Sequence, residues 1–220
     1  MINKRVLLLC GHYGSGKTNI AVNLAQKIKR EYPTVTLADL DIVNPYFRSK
    51  DSALELEEAG IRLICSKYAN SNVDIPALPP DLYALTDDRR MRAIIDVGGD
   101  DRGALVLGRI APAILSENDY EMLMVINCYR PLTRDAASTI EVMREIEYAS
   151  GIRFTALINN SNLGVETTAE DVLSSMSYAK EVAAMSNLPI VMTTADEKLH
   201  GELADKIPNL FPLKLQKKIQ

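Results

Sequence analysis

The densest chemistry in this chain lies in Gly11-His12-Tyr13-Gly14-Ser15-Gly16-Lys17-Thr18, which has the pattern G-x-x-x-x-G-K-[ST]. Its glycines let successive backbone N–H groups wrap a phosphate, and a helix opening at Lys17 adds the positive end of its dipole. Lys17 is long enough to reach β- and γ-phosphates, and the Thr18 hydroxyl suits Mg²⁺. All eight residues are therefore candidate nucleotide-binding residues. A glycine-rich turn with a chance lysine is the alternative, and the flanks argue against it. Val6 to Cys10 is a continuous apolar run, as in a covered strand, and Ile20, Ala21, Leu24, Ala25 and Ile28 share one helical face.

Carboxylates stand where such a loop needs them. A second apolar run, 34–40, leads into Ala38-Asp39-Leu40-Asp41-Ile42. In extended backbone Asp39 and Asp41 project to one side. One suits Mg²⁺ held through water and the other suits orientation of an attacking water; two solvated loop acids are the alternative. Farther on, Arg92-Ala93-Ile94-Ile95-Asp96-Val97-Gly98-Gly99 delivers Asp96 to the end of a third apolar run. Asp96 is the expected second metal-binding carboxylate, and Gly99 allows a backbone N–H to approach a γ-phosphate. The expected metal set is Thr18, Asp39 and Asp96.

These residues need strand ends to hold them, and the pattern supplies strands. Short apolar runs at 6–10, 34–40, 61–65, 93–97, 122–127, 154–159 and 189–193 alternate with helical patterns at 17–30, 52–59, 104–115, 133–149 and 167–185. Pro112 is a candidate break in the third helix, and Thr167 to Glu170 has capping-box spacing before the last. Such alternation implies an α/β fold with a mainly parallel sheet and helices on both faces. The 220 residues suit one domain, 1–220, and 47% hydrophobic with 25% charged residues is globular rather than disordered composition.

The net charge of −4 argues against a polyanion as principal partner, and with no basic stripe no nucleic-acid binding is expected. No apolar run approaches the ~20 residues of a membrane helix, and the N-terminal run is too short for a secretion signal. Cys10, Cys65 and Cys128 are odd in number and form no C-x-x-C, which predicts neither a disulfide framework nor a zinc site and suits the cytoplasm. The basic, partly apolar tail 213–220 is too short to anchor a membrane alone. Two loops carry further candidates: Asn44 to Lys50, with Tyr46, Phe47 and Arg48 just past Asp39 and Asp41, and Tyr129-Arg130. The proline-containing stretch 66–88 is a surface loop or a substrate- or partner-contacting one.

Together the segments from Val6 to about Leu199 resemble the MinD/ParA-like branch of SIMIBI-class (CobQ/CobB/MinD/ParA) P-loop ATPases. That resemblance implies a P-loop NTPase sheet, ATP and Mg²⁺ as ligands, and slow hydrolysis as a switch on a protein client. Asp39-Leu40-Asp41-Ile42 looks like the first switch of that group, which would make Asp41 the residue that positions the hydrolytic water, with Asp39 near the γ-phosphate. Asp96 to Gly99 looks like its second switch. Leu157-Ile158-Asn159-Asn160 is similar to the strand end that offers an asparagine, Asn159, to the base; a turn role for Asn159 is equally open. No N-K-x-D follows, which favours ATP over GTP. The group's lysine after the first glycine, which reaches across a nucleotide-dependent homodimer, is here His12, with Arg102 the nearest substitute charge. The iron–sulfur cysteine of a relative is absent after Asp100, so no cluster is expected. Two other functions remain open: an ATP-dependent small-molecule phosphotransferase or ligase, similar to dethiobiotin synthetase or the cobyrinate amidation enzymes, and a nucleotide-sensing scaffold without hydrolysis.

Overall fold

A strand made only of apolar residues has to be covered on both faces, and this chain supplies helices for both. The computed structural model describes residues 3–40, 53–65, 82, 85, 88–99 and 101–215. Its strands are β1 (Val6–Cys10), β2 (Val35–Leu40), β3 (Arg62–Cys65), β4 (Arg92–Val97), β5 (Tyr120–Ile126), β6 (Ala156–Asn159), β7 (Ile190–Asp196) and β8 (Leu210–Leu213). They form one sheet in the order β3-β2-β4-β1-β5-β6-β7-β8, and every neighbouring pair is parallel.

The helices are α1 (Lys17–Lys29), α2 (Ala53–Glu58), α3 (Asp101–Glu117), α4 (Ala136–Ser150), α5 (Ala169–Ser186) and a short α6 (His200–Leu203). Alternate residues along each central strand enter opposite cores. Leu7, Leu9, Leu37, Ile94 and Val125 pack with Ile20 and Leu24 of α1 and Leu56 of α2. Leu8, Ile95 and Met124 pack with Leu107 and Ile110 of α3, Ile140 of α4 and Val182 of α5. The expected doubly covered parallel sheet is thus present.

Several element details differ from expectation. α3 runs without interruption through Pro112. Pro112 lies on the exposed side of that helix, where solvent can satisfy the carbonyl it strands. α4 begins at Ala136, after a 3₁₀ turn at Pro131–Thr133, with the Asp135 carboxylate accepting from Ser138 N at 2.9 Å. Those Ser138 bonds, backbone first, hold the Asp135 carboxyl below its ordinary range. The capping box sits one residue later than expected, with Thr168 as N-cap and Asp171 as its reciprocal partner. β7 continues to Asp196, and β8 was not anticipated. It contains Pro212, which an edge strand tolerates, and it is tied to α1 by Asn23, whose Oδ1 accepts from Lys214 N at 2.9 Å. Asp41, the 44–50 stretch, most of the 66–88 loop and the last five residues of the tail lie outside the described residues, as do the side chains of Asp101 and Arg102.

Candidate functional site: the phosphate loop and its two flanks

β1 occupies the middle of the sheet, with β4 and β2 to one side and β5, β6 and β7 to the other. The loop leaving β1 therefore opens at the carboxyl edge between two flanks, where ligands bind in open parallel sheets. Gly11 turns the chain there with φ +147°, and a Cβ would overlap the Val125 carbonyl oxygen, so no larger residue fits. Gly16 is the N-cap of α1 and no side chain caps that helix. The first N–H groups of α1 are consequently left for a ligand rather than for a Ser or Asp cap.

Lys17 and Thr18 point inward and are buried. Lys17 Nζ donates to the carbonyls of Gly11 at 2.9 Å and His12 at 3.3 Å, which curls its stem under the loop. Thr18 Oγ1 donates to Asp96 Oδ2 at 2.6 Å. On β2, Asp39 pairs in register with Asp96 of β4. Register partners in parallel strands project to the same face, here the face covered by α1. Both carboxylates are buried, at 5% and 1% exposure, beneath the loop. Thr18, Asp39 and Asp96 are thus brought together as the sequence predicts, while Asp41 lies outside the described residues. Cys10 ends β1 nearby, with its side chain in the core on the opposite face of the sheet. Burial, the largest cause, pushes its thiol well above the ordinary value despite the nearby Lys17 charge. It stays protonated and packs.

The fit to a nucleotide and Mg²⁺ can be tested on these atoms. The glycine turns leave a cradle that a Cβ would fill, and the Ser15 hydroxyl is buried there without a hydrogen-bond partner among the described residues. A threonine hydroxyl hydrogen-bonded to a buried carboxylate, with a second carboxylate in register, is an all-oxygen donor set of the hard-cation type. Among the described residues no group of three or more His, Cys, Asp or Glu could hold a metal unaided. Mg²⁺ needs only one or two carboxylates and completes its shell with phosphate and water. The residues present fit both groups.

Gly99 closes the β4 flank. A Cβ there would stand 2.5 Å from Tyr13 N and 2.8 Å from Tyr13 Cα. Both are backbone atoms of the phosphate loop and cannot swing aside. Gly99→Ala is accordingly expected to push the loop and the β4–α3 turn apart and to weaken nucleotide binding by about tenfold or more, an overpacking cost of ~1–3 kcal/mol. Titration calorimetry on the purified variant checks this, and wild-type affinity would show that the two segments do not meet. His12 is half-buried, with Nδ1 3.0 Å from Tyr13 O, and Tyr13 is exposed.

On the other flank two residues matter that the sequence did not single out for this role. Asn160, 3% exposed, donates from Nδ2 to Ser15 O at 2.6 Å and accepts from Thr194 Oγ1 at 2.5 Å. It bolts the loop to β7. Arg130 donates from Nε to Gly14 O at 2.8 Å. Asn159, offered above as a base contact or a turn residue, is fully buried and spends its amide internally. Its Nδ2 donates to Ser175 Oγ at 3.0 Å, and its Oδ1 accepts from Ser161 Oγ at 2.8 Å. To touch a base it would have to leave both partners. The signal for Asn160 was the polar run Asn159-Asn160-Ser161-Asn162 at a strand end, but which asparagine faces the loop depends on strand parity.

Among the described residues no helix is long and apolar enough to cross a membrane. No family model and no curated protein matches the chain. Solved structures do. The FtsY of Mycoplasma mycoides is 18% identical with a TM-score of 0.55, over 88% of this chain and 60% of that one. The signal recognition particle receptor FtsY of Elizabethkingia anophelis in complex with GDP is 17% identical with a TM-score of 0.53, over 90% and 59%. The signal recognition particle 54 kDa protein of Aeropyrum pernix in complex with GDP is 20% identical with a TM-score of 0.51, over 86% and 41%. The chain thus spans about three fifths or less of these proteins. Identity this low shows the fold alone, an α/β P-loop NTPase fold.

Proposed function

We propose that this chain is a Mg·ATP-binding, slowly hydrolysing switch NTPase that acts on a protein client in the cytoplasm. The observation that carries this reading is the bond from Thr18 Oγ1 to Asp96 Oδ2 beneath a glycine-turned loop, with Asp39 in register beside it. A buried hydroxyl–carboxylate pair at the start of a helix whose N–H groups are uncapped suits a metal–polyphosphate ligand better than any other class. When bound, Mg²⁺ would neutralise charge on the β- and γ-phosphates. Lys17 would hold phosphate oxygens, Thr18 and Asp96 would hold the metal with Asp39 in support, and the Gly99 backbone would meet the γ-phosphate.

ATP is proposed over GTP because the β6 edge reads Asn159-Asn160-Ser161-Asn162 and provides no aspartate for the guanine edge. Two structural neighbours hold GDP, so the test must include both bases. Competition of ATP against GTP for the wild-type protein in Mg²⁺ decides it, and a preference for GTP would overturn the base assignment. The homodimer proposed from the family resemblance is checked by light scattering with Mg·ADP and a non-hydrolysable Mg·ATP analogue. An unchanged mass with nucleotide bound rejects it.

Asp41 is proposed to orient the attacking water. Asp41→Ala should keep nucleotide affinity within about threefold and lower turnover by about 100-fold or more, the usual span for loss of a positioned base. Phosphate release under single-turnover conditions measures this. Turnover at the wild-type rate would remove the role.

A further inference from the structure

Resting on the nucleotide-binding reading above, we propose that Arg130 is a diphosphate-binding residue supplied by the chain itself, a guanidinium fixed on the β5 flank of the phosphate loop opposite the metal-holding acids. Its position is built rather than incidental. Pro131 forces the preceding residue out of helical backbone, and Arg130 is extended with φ −118° and ψ 139°. The turn that carries it is pinned on three sides. Asn127 Oδ1 accepts from Tyr129 N at 3.0 Å, Thr133 Oγ1 donates to Asn127 O at 2.7 Å, and Tyr129 OH donates to Asp171 O at 2.9 Å.

From that turn the side chain lies on the loop. Arg130 Nε donates to Gly14 O at 2.8 Å and one terminal nitrogen, Nη1, donates to Tyr129 O at 3.1 Å. Both acceptors are neutral carbonyls. Among the described residues no carboxylate pairs with this guanidinium and Nη2 makes no hydrogen bond. A neutral donor would serve Gly14 O as well, yet the chain places there a half-exposed cation that no carboxylate among the described residues pairs with. Gly14 is the reason for its closeness, since a Cβ on it would come 3.2 Å from Arg130 Nε.

The direction of the charge follows from topology. β1 separates β4 from β5, so Asp39 and Asp96 lie on one flank of the loop and Arg130 on the other. The backbone of such a loop cradles the α- and β-phosphates, while the lysine reaches toward the γ-phosphate. A guanidinium bound to the loop at Gly14 therefore meets the part of the ligand common to nucleoside di- and triphosphates. It should raise affinity for both alike and leave the chemical step alone. The guanidinium also offers a planar fork that an ammonium lacks.

The test compares wild type, Arg130→Gln and Arg130→Lys by titration calorimetry with Mg·ADP, Mg·GDP and a non-hydrolysable Mg·ATP analogue, at low and high salt, with single-turnover hydrolysis in parallel. Glutamine can still donate to Gly14 O, so loop bracing is retained while the charge is lost. Arg130→Gln should weaken the preferred diphosphate and the triphosphate analogue equally, by about tenfold to a hundredfold, the scale of one charge-assisted bond. Its affinity should also depend less on salt than that of wild type, and Arg130→Lys should recover part of the loss. Unchanged diphosphate affinity in Arg130→Gln would overturn the inference while leaving nucleotide binding intact. A fall in turnover at wild-type affinity would do so too, because it would place the charge at the γ-phosphate. Wild-type protein that binds neither base would overturn the nucleotide reading and this inference with it.

Discussion

Lys17→Ala is expected to weaken binding of nucleoside di- and triphosphates by about 100-fold or more. In the structure Lys17 Nζ is held by the carbonyls of Gly11 and His12 and the residue is only 6% exposed. The ammonium has therefore already lost most of its water in the folded chain, a cost met once, during folding. Phosphate oxygens are stronger acceptors than neutral carbonyls, so the ligand recovers what folding gave up. Two charge-assisted bonds at ~1.5–3 kcal/mol each correspond to a loss of about 100-fold or more. Lys17→Arg should not restore binding, since the planar fork is wider than the ammonium that the two carbonyls embrace. Calorimetric titration gives the affinities. The rise in melting temperature on adding Mg·ADP gives an independent readout, and it should vanish in Lys17→Ala. The apo variant should itself melt lower, because Asp39 and Asp96 remain buried with less positive charge nearby. Wild-type affinity in Lys17→Ala would refute the assigned loop.

The parts of this site that were legible in the sequence are those whose chemistry is written in consecutive residues. Gly11 to Thr18 declares its purpose because glycine, lysine and threonine act there through backbone freedom, charge and a hydroxyl at fixed spacing. Asp39 and Asp96 were legible because each ends an apolar run, and a parallel sheet brings run ends to one edge. That the two are register partners was not readable, since it depends on β4 inserting between β1 and β2. The same reason hid Asn160 and Arg130. Both act through tertiary bonds to loop carbonyls that lie 145 and 116 residues away in the chain. Asn159 and Asn160 are identical in type and adjacent, and only the strand's alternation decides that Asn159 turns to Ser175 and Asn160 to Ser15. β8 escaped because Leu210 to Leu213 is short and contains Pro212, and its place in the sheet depends on tertiary pairing with β7 and burial of Phe211 and Leu213. Pro112 misled in the opposite direction: a helix breaker by propensity, it is tolerated where the helix already faces water.

Gly16→Ala should be among the most damaging single substitutions in the described chain, and the reason can be separated into two terms. Gly16 has φ +90°, which costs an alanine ~1–2 kcal/mol of backbone strain. Its Cβ would also overlap Nδ2 of Asn160. Asn160 cannot retreat, since it is buried and holds Ser15 O with one end and Thr194 Oγ1 with the other. Moving it adds an overpacking cost of ~1–3 kcal/mol. Together these should lower the melting temperature by roughly 5–15 °C for a chain of this size, and the displaced N-cap should abolish nucleotide binding. A double-mutant cycle isolates the second term. Asn160→Ala alone destabilises, because it leaves Ser15 O and the Thr194 hydroxyl without their partner. In that background, however, the new methyl at position 16 meets open space, and Gly16→Ala should then cost only its backbone strain. The two substitutions should therefore be coupled by ~1–3 kcal/mol, with the double variant more stable than the sum of the singles predicts. Denaturant titration of the four proteins measures this coupling. If the costs add within ~0.5 kcal/mol, Asn160 does not fill the space against Gly16, and the bolt from β6 and β7 onto the phosphate loop is not what keeps a glycine at the start of α1.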